Sequence, residues 1–222
     1  MLFRSVIAKG STNGIDLNFF DKATIDAQLL EKIKISINYS AQNKYLLFIG
    51  RLVVDKGLVE LLQVFTALQQ TDETLRLIVV GNYETALDPL PEETRRQIEN
   101  NPSVNHISWT DDVKYYMQLS DLFIFPSHRE GFPNVLLQAG AMELPVICSR
   151  IAGNVDIIAH NETGLIFDRG DKQQMKEQIQ YALNNSAHAK TMAERLLNKI
   201  RQDYRRENIW QNILTAYKSS LN

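Results

Sequence analysis

Short runs of apolar residues alternate with amphipathic stretches along most of this chain. The run LFIF at residues 122–125 is apolar at every position, whereas a strand with one solvated face would alternate apolar and polar residues. A strand that is buried on both faces is typical of a parallel sheet covered by helices on both sides. The pattern therefore predicts an α/β domain with a Rossmann-like, doubly wound parallel sheet of about six strands.

The order of the predicted elements divides the chain into three parts. Strands are predicted at residues 45–49, 75–80, 104–109, 122–126, 145–149 and 164–167. Helices are predicted between them at residues 57–69, 91–100, 113–119, 133–142 and 154–159, and after them at residues 171–183, 187–200 and 205–221. We expect a single domain over residues 1–222, with a leading segment at 1–43, an α/β core at 44–170 and C-terminal helices at 171–222.

The last predicted helix carries one apolar face, formed by Trp210, Ile213, Leu214, Tyr217 and Leu221. Two interpretations remain open from the sequence. The face packs on its own domain, which general experience favours, or it is a surface for a second domain.

Composition excludes several classes of function. The formal net charge of −2 gives no electrostatic case for a nucleic-acid partner. The only cysteine, Cys148, lies in an apolar run and is expected to be a buried filler, and the four histidines show no metal-ligand spacing. No metal site is predicted. No apolar run approaches the roughly 20 residues that cross a bilayer, and residues 1–7 do not form a signal peptide, so we expect a cytoplasmic protein.

Charged side chains follow two of the predicted strands. Arg51 and Lys56 come after the first strand, and Glu130 comes after the fourth, just before a helix. Ligands of doubly wound sheets bind beyond the carboxyl ends of the strands, and the free amides of a helix start attract anions. Two cations, a carboxylate and a helix start suit a polyol joined to a diphosphate, which is the chemistry of a nucleotide-sugar.

Several ordered motifs also carry a resemblance to a known family. They are Gly50-Arg51 with Lys56-Gly57, Pro126-Ser127 with Glu130-Gly131-Phe132-Pro133-Asn134, Leu144-Pro145-Val146-Ile147, and the segments 9–16, 152–158 and 161–166. Together they closely resemble the C-terminal, donor-binding lobe of glycosyltransferase family 4 (group 1), retaining enzymes of two-lobed GT-B architecture. The resemblance covers nearly the whole chain, and it implies that an N-terminal acceptor lobe of similar size is missing from it.

The resemblance implies roles for the charged residues. Arg51 and Lys56 would neutralise the diphosphate of the donor, and Glu130 would bind hydroxyls of the donor sugar near its anomeric carbon. Fixed cations and a helix start can stabilise the leaving diphosphate without a metal or other cofactor. The remaining donor contacts implied are Gly50, Gly131, Phe132, Pro133, Asn134, Val135, Leu136 and Gln138, with Ser108, Trp109 and Thr110 at the base.

The chain departs from the family pattern at two of these positions. Gln138 stands where the family has a second glutamate that binds ribose, and an amide cannot be a nucleophile or base, which supports front-face attack by the acceptor. Ser108 stands where glycine is common. Three readings stay open beside these: Trp109 as a core residue, Glu130 as a residue favoured only by the helix dipole, and His128 as an exposed loop residue.

The predicted function is therefore that of a donor-binding domain of a retaining, metal-independent glycosyltransferase, poorly active when isolated. It would use a UDP- or GDP-sugar, transfer a hexosyl or N-acetylhexosaminyl group to a glycan or lipid-linked acceptor for polysaccharide synthesis, and belong to an enzyme that can associate peripherally with a membrane. The missing lobe and Gln138 motivate an alternative, a non-catalytic nucleotide-sugar-binding or protein-interaction module. A sugar-nucleotide epimerase is disfavoured by the Glu130–Pro133 block.

Overall fold

A computed structural model of the protein describes residues 13–220, and these contain a single six-stranded parallel sheet. The strands are β1 (Lys44–Ile49), β2 (Leu75–Val80), β3 (Val104–Ile107), β4 (Leu122–Phe125), β5 (Val146–Ser149) and β6 (Leu165–Phe167). Their order across the sheet is β3-β2-β1-β4-β5-β6. The predicted doubly wound sheet is confirmed, although the third strand ends two residues earlier than predicted.

Helices cover both faces of this sheet. The described helices are α1 (Ala27–Ser36), α2 (Leu58–Gln69), α3 (Glu92–Asn100), α4 (Val113–Gln118), α5 (Asn134–Ala141), α6 (Ala152–Ile157), α7 (Lys172–Asn184), α8 (Ser186–Asp203) and α9 (Arg206–Ser220). Helix α1 lies in the leading segment and was not predicted, and α6 begins two residues before its predicted start. Among the described helices, none is long and apolar enough to cross a membrane.

The strands bury side chains on both faces, as their apolar sequences predicted. In β1, Tyr45, Leu47 and Ile49 belong to one core cluster, while Leu46 and Phe48 belong to the cluster on the opposite face. Each fully buried aliphatic or aromatic side chain of this kind contributes about 1.5–3 kcal/mol. The two clusters pack the sheet firmly between its helices, so that the loops at its carboxyl edge start from fixed points.

A topological switch point lies between β1 and β4. These strands pair directly, with Leu46 opposite Leu122 and Leu47 opposite Phe123, and the chain continues from them to opposite sides of the sheet. The crevice beyond their carboxyl ends is the usual ligand site of such a sheet. The fold therefore brings the loop after β1, which carries Arg51 and Lys56, beside the loop after β4, which carries Glu130.

The C-terminal helix leaves most of its predicted apolar face uncovered. Trp210, Leu214 and Tyr217 are exposed and Ile213 is half-buried, so the interpretation that this face packs on its own domain is wrong for these residues. Leu221 lies outside the described residues, as do residues 9–12 of the motif at 9–16.

Helix α7 begins with an aspartate cap, whose contribution to stability can be tested by mutation. The Asp171 carboxylate accepts a hydrogen bond from the Gln174 amide at 2.9 Å. We expect Asp171→Ala to lower the free energy of unfolding by about 1 kcal/mol, because an amide of the first turn loses its acceptor. Urea denaturation measures this. As a control, Gln173→Ala in the same turn removes an exposed side-chain contact to Glu177 only, and equal losses from both variants would contradict the assignment of the cap.

Candidate functional site

An ion pair joins the two loops across the switch point. Lys56 ends a single turn of 3-10 helix before α2, and its Nζ lies 2.5 Å from Oε1 of Glu130, in the loop between β4 and α5. The lysine and glutamate side chains are only 12% and 16% exposed. Two of the three charged residues predicted to form the site therefore meet in a largely buried pair, and each charge offsets the desolvation cost of the other.

A glycine at the start of α2 permits this close approach. Gly57 has φ of +71°, and a Cβ added there would lie 2.2 Å from the backbone oxygen of Pro126, the residue after β4. Beside it, the Ser127 hydroxyl oxygen lies 3.3 Å from the Asp55 backbone oxygen, so the two loops touch at a second point. Only glycine fits a left-handed conformation against another backbone at this distance.

Arg51 lies at the same edge of the sheet but has another partner. Its Nη1 donates to Oε2 of Glu84 at 2.6 Å, and its side chain is 62% exposed. Glu84 follows β2 and was not among the predicted site residues. An exposed pair of this kind contributes at most about 1 kcal/mol. The guanidinium can therefore leave the carboxylate for a more highly charged ligand at little cost.

The start of α5 presents amides and open space beside Glu130. Within residues 13–220, the amides of Asn134 and Val135 donate to no backbone or side-chain acceptor. Gly131 is exposed, and a Cβ added there would meet nothing within 4 Å. These three residues border an open volume that can hold an anionic ligand next to the helix start.

Two predicted donor contacts also pack against the protein core. Leu136 is fully buried and its amide donates to the Pro133 oxygen at 3.0 Å. Phe132 is half-buried and packs on Tyr204 with ring centroids 5.6 Å apart. Contact of these two residues with a donor stays a prediction. Gln138 is half-buried on the same helix.

The residues predicted to bind the base lie after β3. Ser108 is exposed, Thr110 is half-buried, and Trp109 is 58% exposed, so the interpretation of Trp109 as a core residue is wrong. The Trp109 amide donates to Oδ1 of Asn82 at 2.9 Å, and Asn82 was not predicted as a site residue. Gly50, the residue after β1, lies against Gly81, the residue after β2. A Cβ added at Gly81 would lie 1.8 Å from the Gly50 oxygen.

Other polar groups at the carboxyl edge are paired within the protein. His128 is half-buried with Nε2 3.1 Å from Oε1 of Glu60, so the expectation of an exposed histidine is wrong. The Arg150 hydrogen bond to Asp168 holds the pKa of that carboxyl below its ordinary value.

Metal and thiol chemistry find no support in the part of the chain that the structure describes. No group of three or more histidine, cysteine, aspartate or glutamate side chains there could hold a metal ion. Cys148 is buried as predicted, and burial raises the pKa of its thiol, which disfavours the nucleophilic thiolate.

The fold and the site together define a class of protein. The six-stranded parallel sheet with helices on both faces matches a lobe of GT-B glycosyltransferases. More particularly, the chain belongs to the family described as glycosyl transferases group 1, whose family model matches residues 31–199.

One relative supports the family assignment, and two solved structures support the fold. The capsular polysaccharide biosynthesis glycosyltransferase CapM of Staphylococcus aureus is 31% identical over 221 residues, which are 98% of this chain and 56% of CapM. Anabaena Alr3699/HepE, solved in complex with UDP-glucose, superposes with a TM-score of 0.81 at 21% identity, covering 93% of this chain and 56% of HepE. A glycosyltransferase from Rickettsia africae superposes with a TM-score of 0.84 at 20% identity, covering 95% and 56%. The chain spans about half the length of the curated relatives it matches.

Proposed function

We propose that this chain is the donor-binding lobe of a retaining, metal-independent glycosyltransferase of family 4. The enzyme transfers a hexosyl or N-acetylhexosaminyl group from a UDP- or GDP-sugar to a glycan or lipid-linked acceptor. The observation that carries the proposal is the buried Lys56–Glu130 pair at the switch point, beside Arg51 and the free amides of α5. A UDP-glucose complex of a structural neighbour and the role in capsular polysaccharide synthesis named for CapM support the donor and the product class.

The arrangement suggests how the leaving group is stabilised. When the bond between the anomeric carbon and the diphosphate oxygen breaks, negative charge grows on the diphosphate. Lys56 and the amides of Asn134 and Val135 are donors held in place near that charge, and Arg51 can turn from Glu84 toward it; such electrostatic stabilisation is usually the largest contribution to rate enhancement. Because the site holds these donors already, we propose that neither a metal ion nor another cofactor is needed.

The proposed mechanism uses the donor's own phosphate as the base. The acceptor oxygen bonds to the anomeric carbon on the face that the diphosphate leaves, and the acceptor proton passes to a diphosphate oxygen. Glu130 binds sugar hydroxyls, and Gln138, an amide, binds the ribose without taking part in proton transfer. This route retains the anomeric configuration and requires no covalent intermediate on the protein.

We propose that the remainder of the enzyme is an N-terminal acceptor lobe and that α9 contacts it. The relatives are about twice as long as this chain. Helix α9, which comes after the α/β core in the chain, exposes the apolar side chains of Trp210 and Leu214. We also propose a cytoplasmic enzyme that acts at the surface of a membrane when its acceptor is lipid-linked. Separation of cell extracts into soluble and membrane fractions tests this location.

Calorimetric titration of the chain with UDP and with GDP tests the donor site, and each titration is done with and without EDTA. We expect one nucleotide to bind saturably in the millimolar range, with the same affinity in both conditions. Absence of binding by both nucleotides overturns the proposal. Retention is tested separately by supplying the N-terminal part in trans and assigning the anomeric configuration of the product by NMR.

Arg51 provides a test of the diphosphate contact. We expect Arg51→Ala to weaken UDP binding about ten-fold, because a charge-assisted hydrogen bond to phosphate is lost. The free energy of unfolding should change by less than about 0.5 kcal/mol, since the pair with Glu84 is exposed. Arg96→Ala on α3 removes a similarly exposed pair, with Glu92, and is the matched control. Equal UDP affinity in the two variants would contradict the role of Arg51.

A further inference from the structure

A buried serine, Ser127, contacts the Glu130 carboxylate from the protein interior. Ser127 is fully buried just after β4, and its Oγ lies 2.9 Å from Oε1 of Glu130, 3.2 Å from the Arg129 oxygen and 3.3 Å from the Asp55 oxygen. All three neighbours are acceptors, and a hydroxyl has a single proton to donate. The carboxylate is the nearest and the only charged acceptor, so the proton lies toward Glu130.

Two more buried polar side chains fix this part of the loop. Nδ2 of Asn154, in α6, donates to the Ser149 oxygen at 2.9 Å and to Ser149 Oγ at 3.2 Å. Since Ser149 Oγ accepts from that amide, its own proton is free to bond the Ser127 backbone oxygen. Asn154 and Ser149 are both fully buried. Asn154 thus donates to Ser149, Ser149 donates to the Ser127 backbone oxygen, and the Ser127 hydroxyl donates to Glu130, so a series of hydrogen bonds links α6 to the β4–α5 loop.

The two carboxylate oxygens of Glu130 have different contacts. Oε1 of Glu130 accepts from both Ser127 and Lys56. Oε2 forms no hydrogen bond with any residue in the range 13–220. A carboxylate that is held through one oxygen by two donors keeps a single orientation, and its second oxygen remains available to a ligand.

We infer that Ser127 is a positioning residue which, supported by Ser149 and Asn154, fixes Oε1 of Glu130 and leaves Oε2 for the hydroxyl groups of the donor sugar. This inference rests on the proposed function. It separates the roles of the site: Lys56 and Arg51 recognise the diphosphate, whereas the buried series governs recognition of the sugar. Ser127 itself touches neither ligand.

The test compares UDP with UDP-glucose as ligands of the Ser127→Ala variant. We expect UDP-glucose affinity to fall about ten-fold, because the hydrogen bond that orients a charged group is lost. UDP affinity should stay within about two-fold of the parent protein, because the diphosphate contacts are intact. Ser103→Ala removes another buried serine, which precedes β3 at the opposite edge of the sheet, and should leave both affinities unchanged. A role that is merely structural would weaken both ligands alike, and that result, or no change in either, overturns the inference.

A cycle without ligand keeps this inference separable from the proposed function. Thermal unfolding of Ser127→Ala, Glu130→Gln and the double variant measures the coupling between the two side chains. Contacting residues give non-additive shifts, and we expect the double variant to lose clearly less than the sum of the single losses. Additive shifts overturn the positioning role even if both nucleotides bind. Failure of the parent protein to bind UDP and UDP-glucose overturns the proposed function instead.

Discussion

Substitution of Lys56 by methionine is expected to lower the free energy of unfolding by about 3 kcal/mol, because it leaves the Glu130 carboxylate in a largely buried position without its cation. The variant should also lose detectable UDP-sugar binding at millimolar concentration, since the most buried cation at the switch point is gone. Urea denaturation gives the first quantity and calorimetric titration gives the second.

The double variant Lys56→Met/Glu130→Gln separates stability from binding. Replacing both charges removes the uncompensated carboxylate, and neutral replacements of buried pairs are often close to neutral in stability. We therefore expect most of the lost stability to return, while binding stays absent. Lys44→Met is the matched control, because its pair with Asp72 is more exposed and should cost less than about 1 kcal/mol. Equal stabilities of the parent and Lys56→Met would show that the pair is not buried as described.

The architecture could be predicted from the sequence because burial on both faces leaves a direct trace in each strand. Both sides of β1 are apolar, and the structure places them in two separate clusters. Helix α1 was missed although its sequence carries helical signals. Leu29, Leu30 and Ile33 lie at helical spacing and pack on the core, and Asp26 caps the helix. The exposed helices α3 and α9 were predicted from the same kind of spacing, so exposure at the surface does not account for the miss.

The candidate site was predictable in the residues that follow strands and not in their partners. Lys56 and Glu130 meet although 74 positions separate them, because β1 and β4 are neighbours in the sheet. The pairing of Arg51 with Glu84 spans 33 positions and depends on the path of the loop after β2. No local pattern encodes that path, so neither this partner nor Asn82 could be found from the sequence.

The same limit explains the incorrect interpretation of Trp109. An apolar aromatic residue at the end of a predicted strand indicates a core position. Strand β3 ends at Ile107, however, and Trp109 lies in the irregular, exposed segment that follows it. Two residues of error in the end of a strand are enough to change an aromatic side chain from core to surface, and the ends of elements are the least predictable feature of a sequence.

Two glycines of the site are expected to respond in opposite ways to the same added methyl group. Gly57→Ala should lower the free energy of unfolding by about 3 kcal/mol or more, from the left-handed conformation and from a forced shift of the backbone. Its φ is +71° and the added Cβ would lie 2.2 Å from the Pro126 oxygen, which cannot move without displacing the end of β4. Urea denaturation measures the loss.

Gly131→Ala is the matched variant on the other side of the Lys56–Glu130 pair. Its added Cβ meets no atom within 4 Å, so the free energy of unfolding should change by less than about 0.5 kcal/mol. The methyl group instead enters the open volume beside the α5 amides, and we expect UDP-glucose affinity to fall at least about ten-fold, as a close backbone approach to the ligand is blocked. If Gly131→Ala bound UDP-glucose as tightly as the parent protein, the donor could not lie against this loop, and the crevice at the switch point would need a different ligand.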